Sequence, residues 1–349
     1  MDTRKVQRLG PSTLAMTLPA EWSREFDVEK GDEVTIRQSG KGTLTVTPPS
    51  ARQGGAEATI TADSLDADSV ERAIVGQYVL GRRVIHVESD RTLDSEHINA
   101  VYRAESQLMG LGVIEETPRR ITIRCSVDPG DFDLDNLLGR LESTGRTMRT
   151  EAIEALATGD GDLAERALNR ERQANKIFVL LLRLIFTAYQ NPSLARAVGL
   201  DDGFPLIGYR SVAKNLELTA DNAEDIAEIA LETEADSLDV DDETLDRIEA
   251  FTAQVDEVTE AAVHAVVERD YERTIAVREL FQELSNREVE ILDDLPEMDN
   301  EDLLRVREVL VSLQQTAQYA VRNAEIAANL ALNEQTDARP VETPEAEAE

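Results

Sequence analysis

Residues 216 to 230 read LELTADNAEDIAEIA, and the reading of this stretch decides the architecture. Leu216, Ala220, Ala223, Ala227 and Ala230 recur at three- and four-residue steps, which places them on one stripe of an α-helix. The stripe returns 97 residues later, where Leu313, Ala317, Ala320, Ala324 and Ala327 stand in the same order and Glu325-Ile326 repeats Glu228-Ile229. That is an internal repeat. Working outward, everything from Asp128-Pro129-Gly130 to about Gln335 fits long amphipathic helices, as in the stripe Leu134, Leu138, Leu141, Met148, Ala152 and Ala155. Breaks near Gly159, Asn191-Pro192, Asp236, Asp270 and Pro296 divide this half into about six helices, grouped by the repeat as three plus three. The first helices align at a shift of about 110, Asp160 on Asp270, and the loop NPSLARAVGLDDGFP supplies the difference.

Ahead of the helices the pattern changes. Strand (ATITA), helix (Asp68 to Leu80), strand (RVIHV), helix (Ser95 to Met109) and two strands joined around Pro118 predict a small α/β segment over residues 56–128. Residues 1–50 cluster β-favouring side chains in LAMTL, DEVTIR and TLTVT, punctuated by glycines, with one short helix from Glu21 to Phe26. Pro48, Pro49, Gly54 and Gly55 mark a linker. The expected order is a β head (1–50), the βαβαββ segment (56–128), helical bundles at 131–235 and 236–335, and a solvated acidic tail at 336–349.

The chain has 349 residues with 70 acidic and 36 basic side chains, a formal charge of −34. Residues 1–50 escape this, with seven bases against seven acids. There are five lysines to 31 arginines. Such a surface repels itself in dilute buffer but is tolerable where molar salt shortens screening to about 3 Å, so the expectation is an extreme halophile's protein. Cys125 stands alone, which rules out an intrachain disulfide and favours a reducing, cytoplasmic setting. No secretory signal is read at the start, and the most apolar run, Ile177 to Phe186, is about half of what a bilayer needs and contains Arg183, so no membrane insertion is expected.

A unit of fewer than 50 residues buries too little surface to stand alone, so the head is expected to intertwine with a second copy as a homodimer. Its basic first strand, LPAEW at the short helix and EKGDEV after it resemble the AbrB/SpoVT-like swapped-hairpin family of DNA-binding domains, from Arg4 to about Pro48. The resemblance implies that Arg4, Lys5, Arg8 and Arg24 meet DNA. A neutral head in an acidic chain suits this, because each uncompensated carboxylate at a phosphate surface adds repulsion. Pro11 and Ser12 depart from the Gly-Arg that some relatives carry.

The helical half, roughly Asp133 to Asn333, resembles PhoU, the paired three-helix bundles that regulate phosphate uptake, most clearly in LELTADNAEDIAEIA and in ERALNRERQANKIFVLLLR. Head, α/β segment and PhoU-like half in this order look like known archaeal regulators. The resemblance implies negative regulation of phosphate uptake, contact with the phosphate transporter or its signalling proteins, and a possible metal ion at the first repeat held by Glu217 and Asp221 in Glu-x-x-x-Asp. Glu217, Asp221, Glu224 and Glu228 fall within about 80–140° on the helical wheel, a strip of oxygen donors suited to a hard cation or simply to solvation. The second repeat has Gln314 and Gln318 there, and the preceding helix offers Glu171 with Asn175.

No enzymatic constellation is found: His86, His97 and His264 are scattered, and no glycine-rich phosphate loop occurs. His86 reads as a half-buried strand residue and Trp22 as an anchor of the head's core. The expectation is a multi-domain, mainly α, non-enzymatic DNA-binding regulator of phosphate homeostasis. The alternative is a dimeric adaptor or metal-binding scaffold in which the head only dimerises.

Overall fold

The computed structural model describes residues 3–38, 42, 44–48, 57–191, 194–200, 203–233, 240–296 and 298–337. The expected linker glycines, the break at Asp236 and the tail from 338 lie outside these residues. The chain divides into two compact units, Met1–Glu57 and Ala58–Glu349.

In the first unit β1 (Gln7–Arg8) pairs antiparallel with β2 (Leu14–Ala15), and β3 (Thr35–Gln38) pairs antiparallel with β4 (Leu44–Thr47). Between the hairpins lies α1 (Ala20–Glu25), entered from extended Pro19 and closed by Phe26, whose ring sits 5.5 Å from that of Trp22. Gly31 at φ 108° makes the turn that only glycine adopts without strain. The strands are shorter than their sequence signal because they have little to pack against. Val6, Leu9, Leu14 and Ile36 are 62, 74, 64 and 64% exposed.

The second unit opens with β5 (Glu57–Thr61), α2 (Ala67–Val79), β6 (Val84–Glu88), α3 (Ser95–Gln107), β7 (Leu111–Thr117) and β8 (Arg120–Cys125). The sheet order is β5-β6-β8-β7, with β8 antiparallel to both neighbours and a bulge between Val113 and Glu115. Period-two alternation sends Ile85, Val87, Ile121 and Ile123 to one buried face, against Val70, Ile74 and Tyr78 of α2 and Ala100, Val101 and Ala104 of α3.

Six long helices follow: α4 (Leu134–Thr158), α5 (Gly161–Gln190), α6 (Phe204–Glu232), α7 (Asp242–Glu268), α8 (Tyr271–Asp293) and α9 (Asn300–Asp337). Helix α9 runs two residues into the stretch read as tail. Part of the chain's acidity is local chemistry at helix starts: Asp66, Asp94, Asp133, Asp160, Asp241, Asp270 and Asp299 accept backbone N–H groups that the first turn leaves unpaired. The repeat is visible in backbone detail. Gly159 (φ 66°) and Arg269 (φ 51°), 110 residues apart, end α4 and α7 in the left-handed conformation, each followed by the Asp that caps the next helix.

Helices α4, α5 and α6 pack as one bundle and α7, α8 and α9 as another, joined where α6 crosses α9 and α4 meets α7. On α6 and α9, Ala220, Ala223, Ala227, Ala317, Ala320 and Ala324 are buried, and these small residues let the helices approach. Asn215 donates to Asn323 (2.7 Å) and Asn222 to Thr316 (3.1 Å), so partners run in opposite directions along an antiparallel pair. The α/β segment is no freestanding spacer, because its core is continuous with that of the first bundle.

Candidate functional site

In the head, Arg4 and Lys5 precede β1, Arg8 lies on it, and all three are exposed. Arg24 is exposed on α1, its Nε donating to the carbonyl of Ala20 one turn back (3.2 Å). Lys5, Arg8 and Arg24 make no ion pair among the described residues. A strand whose cations are left to solvent while its apolar neighbours are also bare is chemically equipped for two contacts at once, one with an anionic surface and one with another apolar surface.

The second candidate lies on α5 and α6. Glu171, Glu217, Asp221 and Glu224 are half-buried, while Asp225 and Glu228 are exposed. Glu217 pairs with Lys214, whose ammonium also lies 5.5 Å from the centre of the Phe178 ring. Burial pushes Asp221 up to about 6, helped by the charge of Glu217 and opposed by Lys214. Burial and the charges of Glu171 and Glu228 push Glu224 up to about 7. Burial also raises Glu171, and Glu217 adds to it. Sequence spacing found the strip on α6, and the same spacing carries Lys214, three residues before the Glu217 it pairs with. The chemistry is an oxygen-donor face with uncompensated charge, although among the described residues no three His, Cys, Asp or Glu side chains gather closely enough to hold a metal. At the matching place in the second bundle Gln314 donates to Ser285 of α8 (3.4 Å) and Gln318 is exposed, a neutral set.

This face sets a pH dependence. The folded-state values of Asp221 and Glu224 lie above their ordinary carboxylate values, so the fold binds extra protons and its stability falls as pH rises from about 4 through 7. Asp221→Asn with Glu224→Gln is expected to raise the melting temperature at pH 7.5 by roughly 2–4 °C and to flatten the slope between pH 5 and 7.5. Calorimetry at the two pH values checks this, and an unchanged slope would contradict it.

The three histidines do not meet. His86 lies against Thr122 (3.2 Å) and Arg120 (2.7 Å) on the sheet, His97 contacts the Leu65 carbonyl (2.8 Å), and exposed His264 stands 3.9 Å from Glu260 and 3.6 Å from Glu268. Among the described residues no helix is long and apolar enough to cross a membrane.

A head built from two hairpins stands ahead of repeated three-helix bundles, and two separate family models match these two parts of the chain. The chain carries a PhoU domain, matched by the family model of that description over residues 138–230. Ahead of it stands a MazE/AbrB-like domain, matched over residues 7–54 by the model described as antidote-toxin recognition MazE, bacterial antitoxin. Among solved structures it is similar to PhoU from Pseudomonas aeruginosa, at 16% identity over 57% of this chain and 96% of that one, with a TM-score of 0.45. A search of curated proteins gave no match.

Proposed function

We propose that this chain is a cytoplasmic, non-enzymatic regulator of phosphate homeostasis. It binds DNA as a homodimer through its head and restrains phosphate uptake, while the helical half senses a signal or docks a partner such as the phosphate transporter or its signalling proteins. The observation that carries this reading is the head itself, where the apolar Val6, Leu9, Leu14 and Ile36 are exposed and so are the cations Arg4, Lys5 and Arg8. Burying those four apolar side chains against a second copy would recover roughly 1.5–3 kcal/mol each, and the dimer would present two sets of cations to the phosphate backbone. The composition supports a halophilic setting, in which short-range arginine hydrogen bonds carry more of the affinity than long-range attraction.

The test is binding of the full chain to its own upstream DNA in molar KCl. Substituting Arg4, Lys5 and Arg8 together by Ala is expected to weaken it on the order of 100-fold while leaving the mass in solution that of a dimer. Binding that is absent in the native chain, or indifferent to the triple substitution, would favour the second reading, a dimeric adaptor whose carboxylate face takes a cation. In that reading Glu217 and Asp221 would be the oxygen ligands, with Glu224 and Glu228 next along α6, and a cation would relieve the repulsion that helps raise Asp221 and Glu224.

A further inference from the structure

We propose that a single water molecule is bound beside Gly145, bridging the guanidinium of Arg149, the carboxyl of Glu142 and the hydroxyl of Thr219 at the junction of the two bundles. All three side chains are buried, at 0, 6 and 1% exposed. Two nitrogens of Arg149 are spent on Asp256 of α7, but its Nη1 has no hydrogen-bond partner among the described residues, and neither has Oε1 of Glu142. Buried donors and acceptors are almost always satisfied, by ordered water where no protein atom reaches them. Thr219 of α6 gives its proton to the Leu216 carbonyl (2.7 Å), which leaves its oxygen able to accept.

Gly145 supplies the room. It lies on α4 one turn from both Glu142 and Arg149, and glycine is a poor helix former. A Cβ at this position would stand 3.5 Å from Oγ1 of Thr219, 3.7 Å from Nη1 of Arg149 and 3.9 Å from Cα of Ala220, all ordinary contact distances. Alanine would fit, so the approach of α4 to α6 does not demand the glycine. The missing methyl instead leaves a space of about a water's size with polar atoms on its walls.

The chemistry selects the occupant. Burial raises Glu142 and, of the charges around it, Arg149 pulls on it most, so the two groups are near each other. A cation would be repelled by Arg149 and an anion by Glu142. Water serves both, accepting from Nη1 and donating one proton to Oε1 and the other to Oγ1, about the three bonds usual for a buried water. Because Arg149 also holds Asp256, the water completes a polar joint that ties α4 and α6 to α7.

The test is a high-resolution crystal structure of the full chain together with glycine substitutions on α4. One water peak is expected within about 3.2 Å of Nη1, Oε1 and Oγ1. Gly139, where a Cβ would meet nothing within 4 Å, is the control, and Gly139→Ala is expected to raise the melting temperature by roughly 2–4 °C through helix propensity alone. Gly145→Ala, which displaces the water, is expected to lower it by roughly 2–4 °C, and Gly145→Ser, which brings a hydroxyl to the site, to lower it less. The proposal is overturned if no peak stands among the three atoms, if the peak is an ion, if Arg149 bonds Glu142 directly, or if Gly145→Ala fails to lower the melting temperature.

Discussion

Replacing Arg183 by Met is expected to cost about 3–5 kcal/mol. Arg183 is only 4% exposed and sits in the most apolar stretch of α5. Burial alone lowers its affinity for a proton, so its charge must be held by partners. It donates to the carbonyls of Tyr78, Arg82 (3.1 Å) and Gly81 (3.4 Å), and its guanidinium lies 4.7 Å from the centre of the Tyr78 ring. Those carbonyls lie at and just past the C-terminus of α2, where the helix dipole favours a cation. Met matches the volume but removes the donor to the Arg82 and Gly81 carbonyls, while the Tyr78 carbonyl keeps the Gly81 N–H (3.0 Å). Because α2 and α5 share one core, we expect urea unfolding of the native second unit in a single transition and an early, separate loss of the α/β segment in Arg183→Met. Arg183→Lys should fall between the two, since one ammonium cannot reach three carbonyls. A loss below about 1 kcal/mol for Met would show that the carbonyls find other donors.

The second large effect is expected at the junction of the bundles. Arg149 of α4 is fully buried and donates through Nε (2.9 Å) and Nη2 (2.7 Å) to one carboxylate oxygen of Asp256 on α7. Its remaining nitrogen, Nη1, and Oε1 of the nearby Glu142 are buried without hydrogen-bond partners among the described residues. Burial raises Glu142, while Arg149 and Arg146 pull it down. Asp256→Ala strands a buried guanidinium and should cost about 3–5 kcal/mol, whereas Arg149→Met with Asp256→Leu removes both charges and should return to within about 1–2 kcal/mol of the native chain. Denaturant titration of the three proteins decides this. A double substitution as damaging as the single one would mean that shape at this contact outweighs charge. Glu142 offers an internal check, because an unpaired Arg149 draws it toward ionisation and makes the loss in Asp256→Ala smaller as pH rises.

These two sites mark the limit of what the amino-acid order discloses. The helices and strands were legible because their signals are local: the Ala and Leu stripe of α6 and α9, the alternation in RVIHV and RITIR, and an Asp before a helix. The carboxylate strip of Glu217, Asp221, Glu224 and Glu228 was legible for the same reason. Arg149 and Asp256 are 107 residues apart, and Arg183 answers carbonyls about 100 residues away, so nothing near either arginine announces its partner. Arg183 even looked like a mere interruption in an apolar run. The polar site beside Gly145 is likewise a product of bundle packing. In the head the converse holds: the strand pattern of Val6, Leu9, Leu14 and Ile36 is plain, but the surface that should cover it belongs to no described part of this polypeptide.

The crossing of α6 with α9 has an evolutionary consequence. In a symmetric pair of separate polypeptides every substitution is made twice, so an ionisable ridge on one partner must appear on the other. Fusing the two copies releases that constraint, and each half can be edited alone. One half here keeps its crowded carboxylates while its twin carries amides and a hydroxyl. Acidity therefore acts more on the side that carries Glu217, Asp221 and Glu224 than on the side that holds Gln314 and Gln318, an unevenness closed to a homodimer of single bundles.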